Sequence, residues 1–272
     1  MSKATTKKPS SAEMPGVSIS VNRLTKDRPK AWLVAGMQDF RSAMAVSLSY
    51  GLFWVVLSIA ITVATFTLGY WHLLLPMVAG FMLLGPLIAV GAYGISQAIE
   101  QGRTPSLGDA FSSWKPYAGQ LAMMGVMMLI SFLAWIRLTT LLFALFFGLE
   151  VLSPQAVYTS LVTTPEGLGM LAIGTVAGGV MALGTFAISV VAIPTIMDHD
   201  LTFMEGIEAS IRCVSSNFRT MLIWAAMLTG CALVGIATLY LGLALILPVL
   251  GHASWHAYKE LVVIKPVEKI AS

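Results

Sequence analysis

Two histidines near the end of the chain are the sharpest chemical signal in the sequence. His252 and His256 are four residues apart, so a helix through residues 251–256 places both imidazoles on one face. Imidazoles at this spacing can chelate zinc or haem iron, as the two histidines of zincin helices do. The glutamate of that motif is missing, because Ala253, Ser254 and Trp255 lie between the histidines.

Aromatic and imidazole side chains also anchor membrane helices at the depth of the lipid headgroups. Trp255 and Tyr258 fit such an anchor. We expect this second arrangement, in which Trp255 lies at the headgroups and His252 and His256 form hydrogen bonds with interfacial helices. The metal or haem site remains the alternative.

A second cluster of ligand-type residues lies at Asp198, His199 and Asp200. These side chains could complete a metal site with His252 and His256. Acidic residues are also common before a capped helix, where they complement its positive end. We expect the second role and predict no bound cofactor. No nucleophile, phosphate-binding loop or inward pair of carboxylates occurs in an apolar stretch, which predicts a protein that is not an enzyme.

The composition is that of a protein embedded in a lipid bilayer. Of 272 residues, 57% are hydrophobic and 11% are charged, which excludes a nucleic-acid-binding or secreted protein. A span requires about 20 apolar residues, and the last apolar stretch is long enough to fold back near Thr238 to Gly242. The sequence therefore predicts an all-α polytopic membrane protein with six transmembrane helices. The apolar stretches are Ala43 to Gly69, Leu73 to Ala98, Ala118 to Gly148, Leu168 to Met197 and Thr220 to Tyr258.

Two capping boxes reveal an internal repeat. Ser106 with Asp109, and Thr202 with Glu205, each pair a first hydroxyl with a carboxylate three residues later, which predicts a helix start. The residues that follow are amphipathic up to Trp114 and Val214, and a third copy without a capping box lies at residues 32–40. The six spans are thus predicted to form three hairpins, each preceded by an interfacial amphipathic helix.

Proline and glycine indicate how the spans are shaped and packed. Pro86, Pro194 and Pro248 each lie in the inner half of the second span of a hairpin. Gly174 and Gly178 form a GxxxG pattern, which permits close approach of another helix.

The basic residues orient the spans. If the chain crosses the membrane six times, all of its 16 Lys and Arg residues except Arg137 lie on the same side as the N-terminus. The positive-inside rule therefore predicts that both termini are cytoplasmic. Residues 1–30 are expected to be a disordered basic tail, residues 31–260 the membrane domain, and residues 261–272 a second cytoplasmic tail.

Arg137 allows two interpretations of the third span. In the first, the span ends near Arg137, and Leu138 to Gly148 lie along the outer interface. In the second, the helix continues, tilted, with an arginine inside the bilayer. We favour the first, because an arginine at a helix end can reach the interface at lower cost than a buried one. In the second case Glu150 or Glu166 would serve as the counter-ion.

Several segments resemble a known family. The resemblance covers about residues 30 to 260 and is most specific around His252 and His256. The chain resembles the bacterial integral-membrane family catalogued as domain of unknown function 2189. The segments are Gly85-Pro86-Leu87-Ile88-Ala89-Val90-Gly91 with Tyr93, Thr164-Pro165-Glu166-Gly167, Asp198 with Asp200, Ser210-Ile211-Arg212, Asn217, and Pro248-Val249-Leu250-Gly251-His252-Ala253-Ser254-Trp255-His256.

The resemblance implies a protein of the bacterial inner membrane, and some relatives carry a cytochrome c oxidase subunit label. The chain lacks the histidines, spread over several spans, that an oxidase core needs. We therefore expect a non-enzymatic accessory or assembly protein whose partners are the lipid bilayer and the subunits of a respiratory complex. A small-solute transporter or channel that uses the proline-broken spans is the alternative.

Overall fold

The computed structural model describes residues 17–148 and 153–266, and nearly all of them are helical. The chain is an all-α integral membrane protein with one small antiparallel sheet, formed by strands β1 and β2. The elements in chain order are β1 (Val17–Val21), α1 (Arg28–Ser42), α2 (Met44–Thr67), α3 (Leu74–Phe81), α4 (Gly85–Ile88), α5 (Val90–Glu100), α6 (Leu107–Ser112), α7 (Ala118–Phe147), α8 (Pro154–Thr163), α9 (Pro165–Ser189), α10 (Ala192–His199), α11 (Phe203–Ser216), α12 (Phe218–Ala237), α13 (Leu243–Leu261) and β2 (Val262–Pro266).

Three short or amphipathic helices, α1, α6 and α11, each lead directly into a long apolar helix, namely α2, α7 and α12. Ser106 and Thr202 accept hydrogen bonds from the backbone N–H groups of Asp109 and Glu205, and both carboxylates return the bond. Helix α6 is shorter than the sequence predicts, because it ends at Ser112 rather than Trp114. A separate 3-10 turn follows at Lys115–Tyr117.

The predicted prolines lie where the second helix of each hairpin is interrupted or strained. Pro86 lies in the first turn of α4, after a 3-10 turn that separates this helix from α3. Pro194 lies in α10, which is separated from α9 by Val190 and Val191. Pro248 lies inside α13. A proline lacks the N–H that the helix ladder requires, which accounts for the breaks near Pro86 and Pro194, whereas α13 continues through Pro248.

The buried core lies near the predicted cytoplasmic ends of the helices. Its largest members are aromatic, and Trp32 of α1 packs edge to face on Trp224 of α12 with ring centroids 5.5 Å apart. Helices α2, α7, α9 and α12 keep long apolar faces exposed, as expected for surfaces that contact lipid. The largest fully buried aromatic side chains are Trp32, Trp224, Trp255, Tyr93 and Tyr258.

Five helical segments are long and apolar enough to cross a membrane, so the predicted number of six spans is not confirmed. The 19-residue helix α13 is not among the five. Its second half carries polar side chains, including His252, His256 and Lys259, which lower its hydropathy. The five segments are Met44–Thr67, Met82–Glu100, Leu107–Phe147, Pro165–His199 and Phe218–Ala237.

The predicted tails are partly ordered. Strand β1 pairs antiparallel with β2, and α1 begins at Arg28, so the expectation of disorder over residues 1–30 is wrong for residues 17–30. Residues 262–266 likewise form a strand rather than a free tail. Strand β1 packs Ile19 and Val21 onto the core, and this burial orders the segment. Residues 1–16 and 267–272 lie outside the described residues.

Helix α7 runs from Ala118 to Phe147 without a break, so the favoured interpretation, a span that ends near Arg137, is wrong for the helix itself. Nothing local interrupts the hydrogen-bond ladder there, since neither proline nor glycine occurs between Gly125 and Gly148. Arg137 is exposed on this helix. Glu166 lies in the first turn of α9, three residues before Gly169, which packs against Phe146. Phe146 lies about two and a half turns from Arg137, and Glu150 lies outside the described residues.

The GxxxG pattern faces the antiparallel helix α7. A Cβ atom on Gly178 would lie 2.8 Å from the Trp135 ring, and one on Gly174 would make ordinary contact with Leu142. Gly178 therefore makes room for the tryptophan.

We predict that Thr202→Ala lowers the free energy of unfolding by about 1 kcal/mol, because it removes the hydroxyl that caps α11. Ser106→Ala at α6 should act in the same direction. Thr202→Ser keeps the hydroxyl and is the matched control. Denaturant titration in detergent micelles measures the effect, and equal stability of the alanine and serine variants at position 202 would contradict the capping role.

Candidate functional site

The polar side chains of the second half of α13 join the other helices at one end of the bundle. His252 is completely buried, whereas the side chain of His256 is 35% exposed. The two imidazoles share a face of α13 but bind different groups. Their partners are Asp39 on α1, Ser47 on α2 and Ser96 on α5.

These five side chains form one continuous chain of hydrogen bonds, which we call the histidine network. His256 Nε2 lies 3.0 Å from Asp39 Oδ2, and the Ser96 hydroxyl donates to the same oxygen at 2.7 Å. Ser96 Oγ lies 2.8 Å from His252 Nδ1. On the other side of the ring, His252 Nε2 lies 3.0 Å from Ser47 Oγ. The network thus joins four helices, α1, α2, α5 and α13.

The donors and acceptors of the histidine network determine the tautomer of His252. Ser96 has one hydroxyl proton, which it donates to Asp39, so its oxygen accepts the proton of His252 Nδ1. Because burial away from water disfavours a charged ring, the Nε2 atom carries no proton and accepts from the Ser47 hydroxyl. His252 is therefore a neutral imidazole with both nitrogens bonded, which satisfies a ring buried away from water.

Small residues bring the helix backbones close enough for these short side chains to meet. A Cβ on Gly36 of α1 would lie 2.5 Å from the backbone nitrogen of Ala253. A Cβ on Gly51 of α2 would collide with the Ala244 carbonyl, and one on Gly251 would collide with Ala92 of α5. Helix α13 therefore packs against three helices at backbone distance. A serine hydroxyl spans the gap to α2 and to α5, and the Asp39 carboxylate spans the gap to α1.

Asp39 is the charged member of the histidine network and lies on α1, outside the five segments that are long and apolar enough to cross a membrane. Burial alone would raise the pKa of its carboxyl group. The hydrogen bonds from His256 and Ser96 outweigh that effect, and the pKa of Asp39 lies below its ordinary value. The carboxylate is therefore stabilised in its ionised form.

A second polar cluster joins the last turns of α13 to α5 and α10. The Tyr258 hydroxyl donates to Asp198 Oδ2 at 2.7 Å, and Lys259 Nζ lies 3.1 Å from the same oxygen. Lys259 also pairs with Glu100 at 2.8 Å, while Trp255 Nε1 donates to Glu100 at 3.2 Å. This lysine bridges the carboxylates of two helices.

Glu260 extends the same pattern to α1. Its carboxylate lies 2.6 Å from Arg28 Nε and accepts a 2.6 Å hydrogen bond from Trp32 Nε1. Its backbone carbonyl accepts from the Asn22 side chain, which ties down the segment after β1. Asn217 holds that segment from the other side, because it accepts from the Leu24 N–H and donates to the Asn22 carbonyl.

The ligand-type residues predicted from the sequence do not meet at one point. His252 and His256 contact the histidine network, whereas His199 Nε2 lies 3.5 Å from Asp198 in the second cluster. Asp200 ends α10 in a left-handed conformation with φ of 51°. Within residues 17–148 and 153–266, no three His, Cys, Asp or Glu side chains are grouped so as to hold a metal ion.

The expected headgroup anchor at Trp255 is wrong. Trp255 is only 1% exposed, and its ring packs on Tyr93 and Tyr258 inside the core. Tyr258 is equally buried and donates a hydrogen bond to Asp198. Asp198 therefore also joins α10 to α13, in addition to its expected role as a charge near a helix end. The apolar faces of neighbouring helices cover both rings, and the sequence around Trp255 carries no sign of this.

Sequence reasoning missed Asp39, Ser47, Ser96 and Glu100. A signal existed for Asp39, because it lies on the buried stripe of α1 with Trp32, Gly36 and Phe40, where a carboxylate requires a partner. The serines carry no such signal, because the histidine that both contact is more than 150 residues away in the chain.

Two clefts among the described residues are apolar, and no member of the histidine network lines either of them. One of about 360 Å³ lies between α2, α6 and α7 and is lined by aromatic side chains, including Tyr50, Trp54 and Phe111. The other, of about 160 Å³, lies near Met77 and Phe132, toward the predicted outer ends of the helices. Neither contains the titratable groups of α13.

We predict that His252→Ala lowers the free energy of unfolding by about 3 kcal/mol. It leaves a cavity, removes the partner of the buried Ser47 hydroxyl, and removes one of the two partners of Ser96. His72→Ala removes an exposed histidine and should change stability by less than about 0.5 kcal/mol. Denaturant titration in micelles compares the two, and similar losses would contradict the role of His252.

We also predict that Asp39 makes stability depend on acid. Because its pKa is lowered in the folded protein, its stabilising effect is fully present above the ordinary carboxyl pKa of about 3.9 and is lost as the pH falls through the lowered pKa. Asp39→Asn should be less stable at pH 7 and should lose less stability on acidification to pH 3. Melting temperatures of the unsubstituted protein and of Asp39→Asn, measured between pH 7 and pH 3, test this difference. If the two melting temperatures fell in parallel with pH, the role of Asp39 would be excluded.

Four of the five members of the histidine network lie outside the segment that matches a known family, and Ser96 lies within it. Comparisons with curated proteins and with solved structures give no significant match. The family match is shorter than the predicted range of 30–260 and does not reach His252 or His256. Residues 74–198, from the start of α3 to Asp198 in α10, match the family described as predicted integral membrane protein (DUF2189), which confirms the family predicted from the sequence.

Proposed function

We propose that this integral membrane protein is a non-enzymatic accessory or assembly partner of a larger complex in the bacterial inner membrane. The observation that carries the proposal is the histidine network. His252, His256 and Asp39, which could do chemistry, bind one another or the serines of neighbouring helices. Their hydrogen bonds hold helices together, as a scaffold requires.

The geometry of His252 also favours a protein that is not an enzyme. A general base must reach the proton of a substrate, but both nitrogens of this buried ring are occupied by serine hydroxyls. In the second cluster, Asp198 and Glu100 both pair with Lys259. These contacts leave little capacity for acid or base catalysis.

A respiratory complex of the cytochrome oxidase type is the partner that the family resemblance suggests. In this proposal the chain supplies no redox group. It presents long apolar faces on α2, α7, α9 and α12 to the bilayer and to the partner.

We further propose six crossings, with α13 as the sixth. Strands β1 and β2 pair along their length, with Val17 opposite Pro266 and Val21 opposite Val262. Paired strands lie about 5 Å apart, so the two ends of the membrane domain lie on one side of the bilayer. An even number of crossings is required to bring them together, and the basic residues favour the cytoplasm for both.

Transport of a small solute is the rival function, because proline-broken helices can line a pathway. Such a pathway needs a polar cavity that reaches the middle of the bilayer. The clefts of about 360 and 160 Å³ are lined by apolar and aromatic side chains, which supports the accessory role instead.

Cysteine labelling in intact cells tests the six crossings. We expect Ser20→Cys, Thr104→Cys and Glu268→Cys to be shielded from an impermeant reagent, and Gln155→Cys and Leu239→Cys to react from the periplasm. The unsubstituted protein is the control for the two native cysteines. Labelling of positions 239 and 268 from the same side would show that α13 does not cross.

Purification from native membranes in a mild detergent tests the accessory role. We expect the tagged chain to co-purify with one protein or complex in a constant ratio, measured by quantitative mass spectrometry against an untagged strain. A monodisperse protein without a reproducible companion would contradict the proposal.

A further inference from the structure

Helices α7 and α9 reach farther toward the outer side than the other two hairpins. The outer turns of those hairpins lie at residues 70–73 and 238–242. Phe132 of α7 lines the cleft that also contains Leu74 and Tyr240, which adjoin the two outer turns. Trp135 Nε1 donates to the Pro76 carbonyl at 2.9 Å. A Cβ on Gly80 would collide with the Phe132 ring, so residues 132–135 of α7 are level with residues 76–80 of α3, one to two turns inside the outer turn at residues 70–73.

The rest of α7 projects beyond this level. Phe147 follows Trp135 by 12 helical residues, which corresponds to about 18 Å. Helix α9 accompanies it in the antiparallel direction, because Gly178 lies against Trp135 and Gly169 against Phe146. We call residues 138–147 and 165–177 the outer extension.

The other hairpins already account for the thickness of the bilayer. Helix α2 has 24 residues and α12 has 20, which correspond to about 36 and 30 Å, against about 30 Å for the hydrocarbon core. If both helices cross the bilayer fully, the outer extension lies above the hydrocarbon on the outer side. Arg137 then lies at the boundary, where its guanidinium can reach polar groups.

The surface of the outer extension is nevertheless apolar. Leu141 is 66% exposed and Leu145 is 74% exposed, and both follow Arg137 at four-residue intervals on one face of α7. The same face continues into the membrane at Ile130 and Leu133. Contiguous apolar surface outside the hydrocarbon is unfavourable unless another surface covers it.

Arg137 adds a charge to this apolar face. Its exposed guanidinium forms no ion pair with any carboxylate of the residues that the structure describes. A surface that covers the face would bring this cation into a less polar environment, which favours a carboxylate opposite it. A second copy related by an axis along the membrane normal would instead bring two Arg137 side chains to the same depth, where they repel.

We propose that the α7 face formed by Arg137, Leu141 and Leu145 binds a transmembrane helix of a different membrane protein. That helix extends about three turns beyond the outer boundary and carries a carboxylate at the depth of Arg137. The proposal rests on the accessory role proposed above and assigns its contact surface.

Photo-crosslinking in native membranes tests this contact. A photoreactive phenylalanine analogue replaces Leu145, or Val56 in the middle of α2, which is 65% exposed and serves as the control. We expect a protein adduct from position 145 and only lipid adducts from position 56. The crosslinked peptide should belong to a membrane-spanning segment and contain Asp or Glu within about three turns.

Charge variants complete the test. Arg137→Glu should lower the adduct yield at least about tenfold, because breaking a desolvated charge pair costs more than 1.4 kcal/mol, whereas Arg137→Lys should retain most of it. Glu150→Gln should have no effect. An adduct with a second copy, lipid adducts alone at position 145, or a yield insensitive to Arg137→Glu would overturn the proposal.

The two proposals fail in different ways. If a companion co-purifies with the unsubstituted chain but position 145 captures no protein, the contact surface is wrong and the accessory role stands. If no companion co-purifies, the accessory role is wrong.

Discussion

The buried ring of His252 imposes the constraint on which the inner half of the structure depends. A neutral imidazole with no access to water needs a donor at one nitrogen and an acceptor at the other, and Ser47 and Ser96 supply them from two different helices. Ser96 can accept from the ring only while its own proton goes to Asp39, which lies on a third helix. One satisfied ring therefore determines the relative positions of α1, α2, α5 and α13.

The end of the bundle that contains His252 differs from the opposite end. At the inner end, Lys259 and Glu260 add further contacts, and the titratable groups are used to hold helices together. The outer halves of α7 and α9 carry few polar contacts and present apolar surface. A rigid inner end and an unpartnered outer face are suited to a protein that docks onto another one, which is the function we propose.

Local signals predicted local structure well, and long-range contacts accounted for the errors. The capping residues Ser106 and Thr202 and the prolines of the second spans act within a turn of themselves, so the sequence identified them correctly. The burial of Trp255 depends on Tyr93 and other residues far away in the chain, which no spacing rule reveals.

The expected helix end at Arg137 failed for a related reason. The prediction rested on the cost of placing arginine in hydrocarbon, but that cost does not apply if α7 carries the residue to the outer boundary and continues beyond it. The family resemblance was confirmed over residues 74–198, whereas the number of spans was not.

A double-mutant cycle between Asp39 and Ser47 tests the central claim most directly. These residues do not touch, and the only connection between them in the histidine network runs through Ser96 and His252. Free energies of unfolding are measured for the unsubstituted chain, Asp39→Asn, Ser47→Ala and the double variant. Our account predicts a departure from additivity of at least about 0.5 kcal/mol, and additive losses would contradict it.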